Sequence, residues 1–156
     1  MTTRWLDDRE MRAWRAFIES TGDLTRAFEA DLADYGMTVG DYQVLVYLSE
    51  TDGRAMRMRD LAEVLQLSPS GLTRRLDGLV ANGWVERQPS EDDRRVMRAV
   101  LTDKGLCALQ DAAPVHVESV RRHMFDHLDD EQVDAMASIF TSLCRAFGRE
   151  PTTRES

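Results

Sequence analysis

The chain has 156 residues and a mass of 17.8 kDa, the size of one globular domain. Apolar residues make up 42% of it, so a buried core is expected and a disordered chain is excluded. The net charge of −8 excludes a uniformly basic coat, and no apolar run is long enough to span a bilayer. Residues 1–10 lack the apolar stretch expected of a secretory signal, and two cysteines, Cys107 and Cys144, give neither a disulfide framework nor zinc-ligand spacing. These features predict a soluble cytoplasmic protein without a membrane partner, metal or cofactor.

Charge is distributed unevenly along the sequence. Residues 1–53 carry a net charge of −6, residues 54–98 carry +2, and residues 99–156 carry −4. Every basic residue except Lys104 is an arginine, whose planar donor fork suits phosphates and guanine edges. A GC-rich genome would also favour arginine, so the positions of the arginines are more informative than their number. The middle third is where a nucleic-acid contact is expected.

The amino-terminal third predicts two helices. Apolar residues recur at three- and four-residue steps across residues 7–35, and Gly36 follows at the position of a left-handed cap. A second helix is predicted over residues 40–50 with Thr38 as its N-cap, and Asp52 and Gly53 mark the following turn.

The middle of the chain predicts a short strand and two more helices. Residues 55–58 alternate like a strand, and a third helix is predicted over residues 60–65, with Arg59 as a poor capping residue before it. Ser68 and Pro69 open a fourth helix, because serine caps helices and proline is tolerated at the first helical position. Its predicted buried stripe consists of Leu72, Leu76, Leu79 and Val80.

The last part of the chain predicts a hairpin and two long helices. Residues 84–87 and 96–101 predict a two-stranded hairpin with a long polar tip. Thr102 caps a helix that runs to Leu128, and a capping box at residues 129–132 opens the last helix. The predicted fold is mainly α with a small β-wing. It comprises dimerisation helices at residues 1–36 and 102–148, a winged helix-turn-helix lobe at residues 37–101 and a flexible tail at residues 149–156.

The order of helix, turn, helix and hairpin is that of a winged helix-turn-helix. With the leucines of the fourth helix inward, Arg74 points outward, and the small first turn lets the helix end approach a phosphate. An arginine at the hairpin tip, oriented by an aspartate, can enter a narrow minor groove. In the alternative interpretation, the serine only caps the helix and the arginines only solubilise the surface. The predicted DNA contacts are Ser68, Ser70, Gly71, Thr73, Arg74, Arg75, Asp93, Arg94, Arg95 and Arg98.

Four runs of sequence carry a resemblance: LSPSGLTRRL at 67–76, GWVER at 83–87, DRR at 93–95 and LTDKG at 101–105. In this order and spacing, the runs resemble the MarR family of bacterial transcription regulators. The resemblance implies an obligate homodimer whose lobes read a palindromic operator in double-stranded DNA, with the fourth helix in the major groove and the wing in the minor groove. It also implies a repressor that a small aromatic or phenolic acid releases from DNA. Arg59 departs from the serine or threonine frequent at that position in the family.

Candidate regulatory residues are Trp14, Phe17 and Tyr42, whose rings would stack on an aromatic acid. In the alternative interpretation, Trp14 and Phe17 belong to the core or the dimer interface. Oxidant sensing by Cys107 is an alternative, because a helix's first turns stabilise a thiolate. The four-residue spacing of His123 and His127 lacks the further ligands of a metal site, and no catalytic motif occurs, so an enzyme is not predicted. A winged helix that binds protein instead of DNA is the second hypothesis, favoured by the acidic net charge.

Overall fold

The chain divides into two compact units, residues 1–119 and residues 120–156. The computed structural model describes residues 2–150, so part of the predicted flexible tail, residues 151–156, lies outside the described residues. Helices make up most of the described chain and a small antiparallel sheet lies in the first unit, which confirms the predicted fold class. Within residues 2–150, no helix combines the length and apolarity needed to cross a membrane.

The first helix begins where the sequence predicts, and a 3-10 turn continues it to the predicted glycine. Helix α1 spans Asp8–Leu32, and Asp7 closes its N-terminus through a capping box with Glu10. A 3-10 turn, Ala33–Tyr35, leads to Gly36, whose φ of 66° lies in the left-handed region. The predicted helix is therefore confirmed, and the predicted left-handed glycine closes the 3-10 turn that follows it.

Helix α2 spans Val39–Glu50, and the predicted Thr38 cap is confirmed. The Thr38 hydroxyl accepts a hydrogen bond from the Asp41 N–H at 3.0 Å, and the Asp41 carboxylate accepts one from the Thr38 N–H at 3.0 Å. This reciprocal pair is a capping box, which satisfies two backbone donors at the helix end. The Asp41 carboxylate is thereby fixed beside the N-terminus of α2.

Helix α3 begins earlier than the sequence predicts. Strand β1 spans Ala55–Arg57 and helix α3 follows at once over Met58–Val64, so the predicted start after Arg59 is wrong. Arg57 holds the N-cap position and its side chain makes no capping hydrogen bond. The helix start therefore has no side-chain signal in the sequence, and burial of residues such as Leu61 holds the helix in place instead.

Helix α4 spans Pro69–Ala81 and begins as predicted. The Ser68 hydroxyl accepts a hydrogen bond from the Gly71 N–H at 3.1 Å, which satisfies one of the free donors of the first turn. Val80 is exposed, so its predicted burial is wrong. It lies past the edge of the buried face of α4. That face is formed by three leucines at successive steps of four and three residues: Leu72, Leu76 and Leu79.

The sheet has three strands, one more than the predicted hairpin. Strand β2 spans Val85–Pro89 and strand β3 spans Met97–Leu101, and they pair antiparallel. Strand β1 pairs with the other edge of β3, which gives the strand order β1-β3-β2. The sequence indicated the short strand at residue 55 but not its partner, because three residues contain little information on register.

Helix α5 spans Asp103–His123 and has the predicted cap. The Thr102 hydroxyl accepts a hydrogen bond from the Gly105 N–H at 2.9 Å. The helix ends before the predicted Leu128, because the backbone leaves the helical region at Met124 and a 3-10 turn follows. The apolar periodicity continues through this break, which explains why the sequence predicted an uninterrupted helix.

In the second unit, helix α6 spans Asp130–Ala146. The predicted capping box is present, since Asp129 and Gln132 each accept a hydrogen bond from the other's backbone N–H. Large apolar side chains recur along one stripe at steps of one, three and four residues, and they are exposed: Ile139, Phe140, Leu143 and Phe147.

The core of the first unit joins its helices and sheet. Side chains from α1, α2, α3, α4 and the sheet pack together, and the largest fully buried ones include Leu32, Leu45, Leu48, Leu61, Leu72, Leu76, Leu79 and Val85. This packing buries the inner face of α4, and the outer face is exposed to solvent. The fold therefore holds one face of α4 on a rigid base and presents the other.

Candidate nucleic-acid interface

The first turn of α4 presents small hydroxyl-bearing residues to solvent. The Ser68 and Ser70 hydroxyls lie 3.2 Å apart, and the Thr73 hydroxyl donates a hydrogen bond to the Pro69 carbonyl at 2.9 Å. A Cβ at Gly71 would lie 3.1 Å from the Ser68 hydroxyl, so glycine leaves room for the cap. The first turn contains no acidic residue, so its backbone donors and the positive end of the helix dipole can meet a phosphate.

The two adjacent arginines of α4 have different surroundings. Arg74 is exposed on the outer face, and among residues 2–150 it has no hydrogen-bond or salt-bridge partner. Its guanidinium is open to a guanine edge or a phosphate. Arg75 instead donates from Nη1 to the Thr38 hydroxyl at 3.4 Å and lies 3.8 Å from Oδ1 of Asp41. The predicted DNA contact of Arg75 stays a prediction, because in the structure its guanidinium lies at the N-terminus of α2.

Arg87 is a further candidate that the sequence reasoning missed. From strand β2, its Nη2 donates to the Thr73 carbonyl at 3.0 Å and to Oδ1 of Asp77 at 2.7 Å. Asp77 lies one turn after Arg74 on the same side of α4, so Arg87 neutralises a carboxylate beside the open arginine. No local pattern indicates this pair, since the two residues belong to different elements.

The wing tip contains the predicted pair of aspartate and arginine. Asp93 accepts hydrogen bonds from the Arg95 backbone N–H at 3.0 Å and from its Nε at 3.2 Å and Nη2 at 3.4 Å. These hydrogen bonds lower the pKa of the Asp93 carboxyl below its ordinary value, and the bond from the Arg95 backbone N–H has the largest effect. Arg94 is exposed and has no hydrogen-bond or salt-bridge partner in the described part of the chain. Arg98 donates to the Ala55 carbonyl at 3.3 Å and so joins β3 to β1, and its DNA contact stays a prediction.

Comparison with known proteins identifies this arrangement. A sequence profile described as "MarR family" matches residues 35–96, from the end of α1 to the wing. AbsC, described as a MarR family transcriptional regulator from Streptomyces coelicolor, has a crystal structure 40% identical in sequence with a TM-score of 0.88. The match covers 93% of this chain and 98% of that one. The chain belongs to the MarR family.

Further relatives of this MarR protein are also regulators. Sco3205, a MarR family transcriptional regulator from Streptomyces coelicolor whose crystal structure is in complex with DNA, is 36% identical with a TM-score of 0.89 over 97% of this chain and 94% of that one. The HTH-type transcriptional regulator PecS of Dickeya dadantii is 28% identical over 115 residues, 73% of this chain and 69% of its own length. The predicted family is confirmed, and the relatives are transcriptional regulators rather than enzymes.

The structure places the predicted effector residues of the MarR chain in two aromatic groups. Trp14 and Phe17 are exposed, with ring centroids 6.1 Å apart. The Tyr42 ring lies 4.4 Å from the ring of His116, which also meets Phe28 edge-on at 5.6 Å. The binding of an aromatic acid to Trp14, Phe17 and Tyr42 stays a prediction.

His116 is a second residue that the sequence reasoning missed. Burial lowers the pKa of its imidazole below the ordinary value, because the ring loses hydration that would stabilise its charged form. Its Nδ1 is buried and has no hydrogen-bond partner among the residues described. The sequence indicated only a histidine in the middle of a helix, since the contacting rings come from α1 and α2.

A cavity of about 430 Å³ lies between α3 and α4, away from the predicted effector residues. Its lining is largely apolar, with Met58, Ala62 and Leu72 among its residues, and it includes one basic and one acidic side chain, Arg59 and Glu63. Of the two cysteines, Cys107 is exposed and Cys144 is half-buried. Within the described residues, no three His, Cys, Asp or Glu side chains are grouped for a metal ion.

Proposed function

We propose that this MarR chain is a homodimeric, sequence-specific DNA-binding repressor whose recognition helix, α4, enters the major groove of a palindromic operator. One observation carries the proposal. Arg74 is exposed on the outer face of α4 and follows a first turn that has small side chains and no carboxylate. A duplex can approach such a helix closely, and an arginine there can make a bidentate contact with a guanine. The relative Sco3205, whose crystal structure is in complex with DNA, supports DNA as the ligand.

The wing supplies the second proposed contact. Arg94 and Arg95 lie at its tip, and Asp93 holds the Arg95 guanidinium in one orientation. A pre-oriented arginine loses less conformational entropy when it enters a narrow minor groove, where the negative potential is strong. We therefore assign Ser68, Ser70, Gly71, Thr73 and Arg74 to the major groove and Asp93, Arg94 and Arg95 to the wing contact, whereas Arg75 and Arg98 have intramolecular partners.

Dimerisation is the second part of the proposal. Helices α1 and α6 both expose apolar stripes to solvent, with Met11 and Ile18 on the first and Ile139 and Leu143 on the second. Exposed apolar stripes are unfavourable in water, and contact with a second copy of the chain would bury them. We assign dimerisation to residues 1–36 and 102–148 and DNA binding to residues 37–101.

The proposed effector is a small aromatic or phenolic acid that releases the protein from DNA. It would favour a dimer in which the spacing between the two recognition helices does not match the operator. The exposed rings of Trp14 and Phe17 support this proposal, because they offer a stacking surface. A screen of such acids against the protein–DNA complex tests it, with Trp14→Ala as the insensitive control. Release by an oxidant that depends on Cys107, and by no acid, would identify a redox regulator instead.

The DNA-binding proposal is tested by selecting double-stranded DNA from a random pool and comparing two variants. Arg74→Ala should lose roughly 1–3 kcal/mol per half-site and relax the preference at one base pair. Arg95→Ala should weaken all sequences more evenly and reduce the salt dependence of binding, because a wing contact is mainly electrostatic. A wild-type protein that enriches no sequence, and variants with no effect, would instead support a protein-binding winged helix.

A further inference from the structure

The guanidinium of Arg75 connects the recognition helix to the N-terminus of α2. Its Nη1 lies 3.4 Å from the Thr38 hydroxyl and 3.8 Å from the Asp41 carboxylate. The two charged side chains are only 31% and 22% exposed, so water screens their attraction less than it does for the pairs at the wing tip. Asp41 is itself fixed by the capping box with Thr38, so Arg75 meets a partner that is already oriented.

Gly40 makes the space that this contact occupies. A Cβ built at Gly40 would overlap the guanidinium of Arg75. The backbone does not need glycine there, because Gly40 is not among the residues with positive φ in the described chain. An alanine at this position would therefore require the Arg75 side chain to move, since the atoms that its Cβ would overlap belong to the guanidinium.

The same helix end is also tied to α1. The Glu29 carboxylate accepts a hydrogen bond from the Val39 N–H at 3.1 Å. The N-terminus of α2 therefore has polar partners on the helix before it and on the recognition helix. Arg75 directly follows Arg74 in α4, so a fixed Arg75 also restricts the rotation of α4 about its own axis.

We infer that Arg75 is a positioning residue, which anchors the recognition helix to the N-terminus of α2 and so sets the angle at which Arg74 meets a base pair. The inference rests on the proposed DNA-binding function. Its competitor is a direct phosphate contact by Arg75, for which the guanidinium would have to leave Thr38 and Asp41.

Two substitutions separate these roles. Arg75→Ala removes both the anchor and any phosphate contact. Gly40→Ala leaves the arginine in the chain but expels its guanidinium from the N-terminus of α2, which frees it for a phosphate. Asp41→Asn is a third variant, in which the amide oxygen can still cap the helix while the charge that holds Arg75 is lost.

Two duplexes serve as probes. The first is selected by the wild-type protein from random double-stranded DNA. The second differs from it at the one base pair for which the Arg74→Ala variant shows no preference. All three variants should bind the selected duplex about three- to tenfold more weakly than wild type. They should also lower the ratio of affinities for the two duplexes, because a misaligned Arg74 discriminates poorly. The slope of log K against log salt should stay that of wild type, since no phosphate contact is lost.

The inference is overturned if Gly40→Ala binds as wild type or more tightly while Arg75→Ala weakens binding and lowers the salt slope by about one. It is also overturned if Arg75→Ala keeps the wild-type affinity and ratio. Thermal unfolding identifies any variant that does not fold, and the remaining two variants then decide. A wild-type protein that selects no duplex refutes the proposed function itself, a result that does not depend on Arg75.

Discussion

Single arginine side chains on the DNA-binding lobe differ in how free they are to bind DNA. Arg74 and Arg94 are exposed without a polar partner in the described chain, whereas Arg75, Arg87 and Arg98 are engaged within the fold. A half-buried, engaged guanidinium must leave its partner to reach DNA, so its net gain on DNA is small. The positive charge of the middle third therefore overstates the number of arginines available for DNA.

Arg87 and Asp77 provide a prediction for this surface. Arg87→Ala should weaken DNA binding, because the Asp77 carboxylate is left unpaired beside Arg74 and repels phosphates. The double variant Arg87→Ala/Asp77→Ala should recover part of the affinity, with a coupling of about 0.5–3 kcal/mol in a double-mutant cycle measured by fluorescence anisotropy. Additive effects would show that the pair does not act as a unit.

His116 provides a prediction about pH. Its pKa is lowered by burial in the folded protein, so the unfolded chain takes up a proton first as the pH falls through the ordinary value of 6.5. Protonation of the unfolded chain then favours unfolding, and wild type should lose stability with acidification. In His116→Phe this loss should be smaller between about pH 7.5 and 5.5, as measured by thermal unfolding at each pH. Parallel stability curves for the two proteins would contradict it.

At the scale of secondary-structure elements, two glycines predict opposite effects of the same substitution. Gly105, in the first turn of α5, packs so closely that a Cβ would overlap the backbone carbonyl of Trp84. Gly105→Ala should therefore destabilise the protein by about 1–3 kcal/mol in urea unfolding, because backbone cannot yield as a side chain can. Gly78→Ala is the control: α4 leaves open space there, so the helix should gain about 0.5–1 kcal/mol. Equal effects of the two would refute the packing argument.

Helix starts closed by a side-chain cap were predictable from sequence, and the helix start without one was not. Helices α2, α4, α5 and α6 begin at the expected threonine, serine or aspartate. Helix α3 has no such cap, and its start was misplaced. The same limit applies to the candidate site. Positions on α4 follow from helical periodicity. The partners of Arg75 lie instead at the N-terminus of α2, and Arg87 reaches α4 from β2, so only the tertiary fold creates these contacts.

At the scale of the whole molecule, the apolar stripe of α6 predicts that the protein cannot work as a single chain. Phe140→Glu should dissociate the dimer or unfold it, because the interface would bury an unpaired charge. Sedimentation velocity at micromolar concentration measures the oligomeric state directly. Glu131→Ala, at an exposed position in the first turn of the same helix, is the matched control and should remain dimeric. A folded wild-type monomer at that concentration would refute the proposed dimer.

The uneven charge has a consequence for how such a regulator searches a chromosome. The lobe between the acidic ends carries only a small excess of positive charge, +2 against −6 and −4. Loose association with arbitrary DNA is electrostatic, and the acidic ends oppose it because their negative charge repels phosphates. The protein should therefore make brief visits and diffuse mostly through solution, with little sliding along the duplex. Few copies are then trapped on the vast excess of irrelevant sites, so a modest number of molecules per cell suffices to keep an operator occupied.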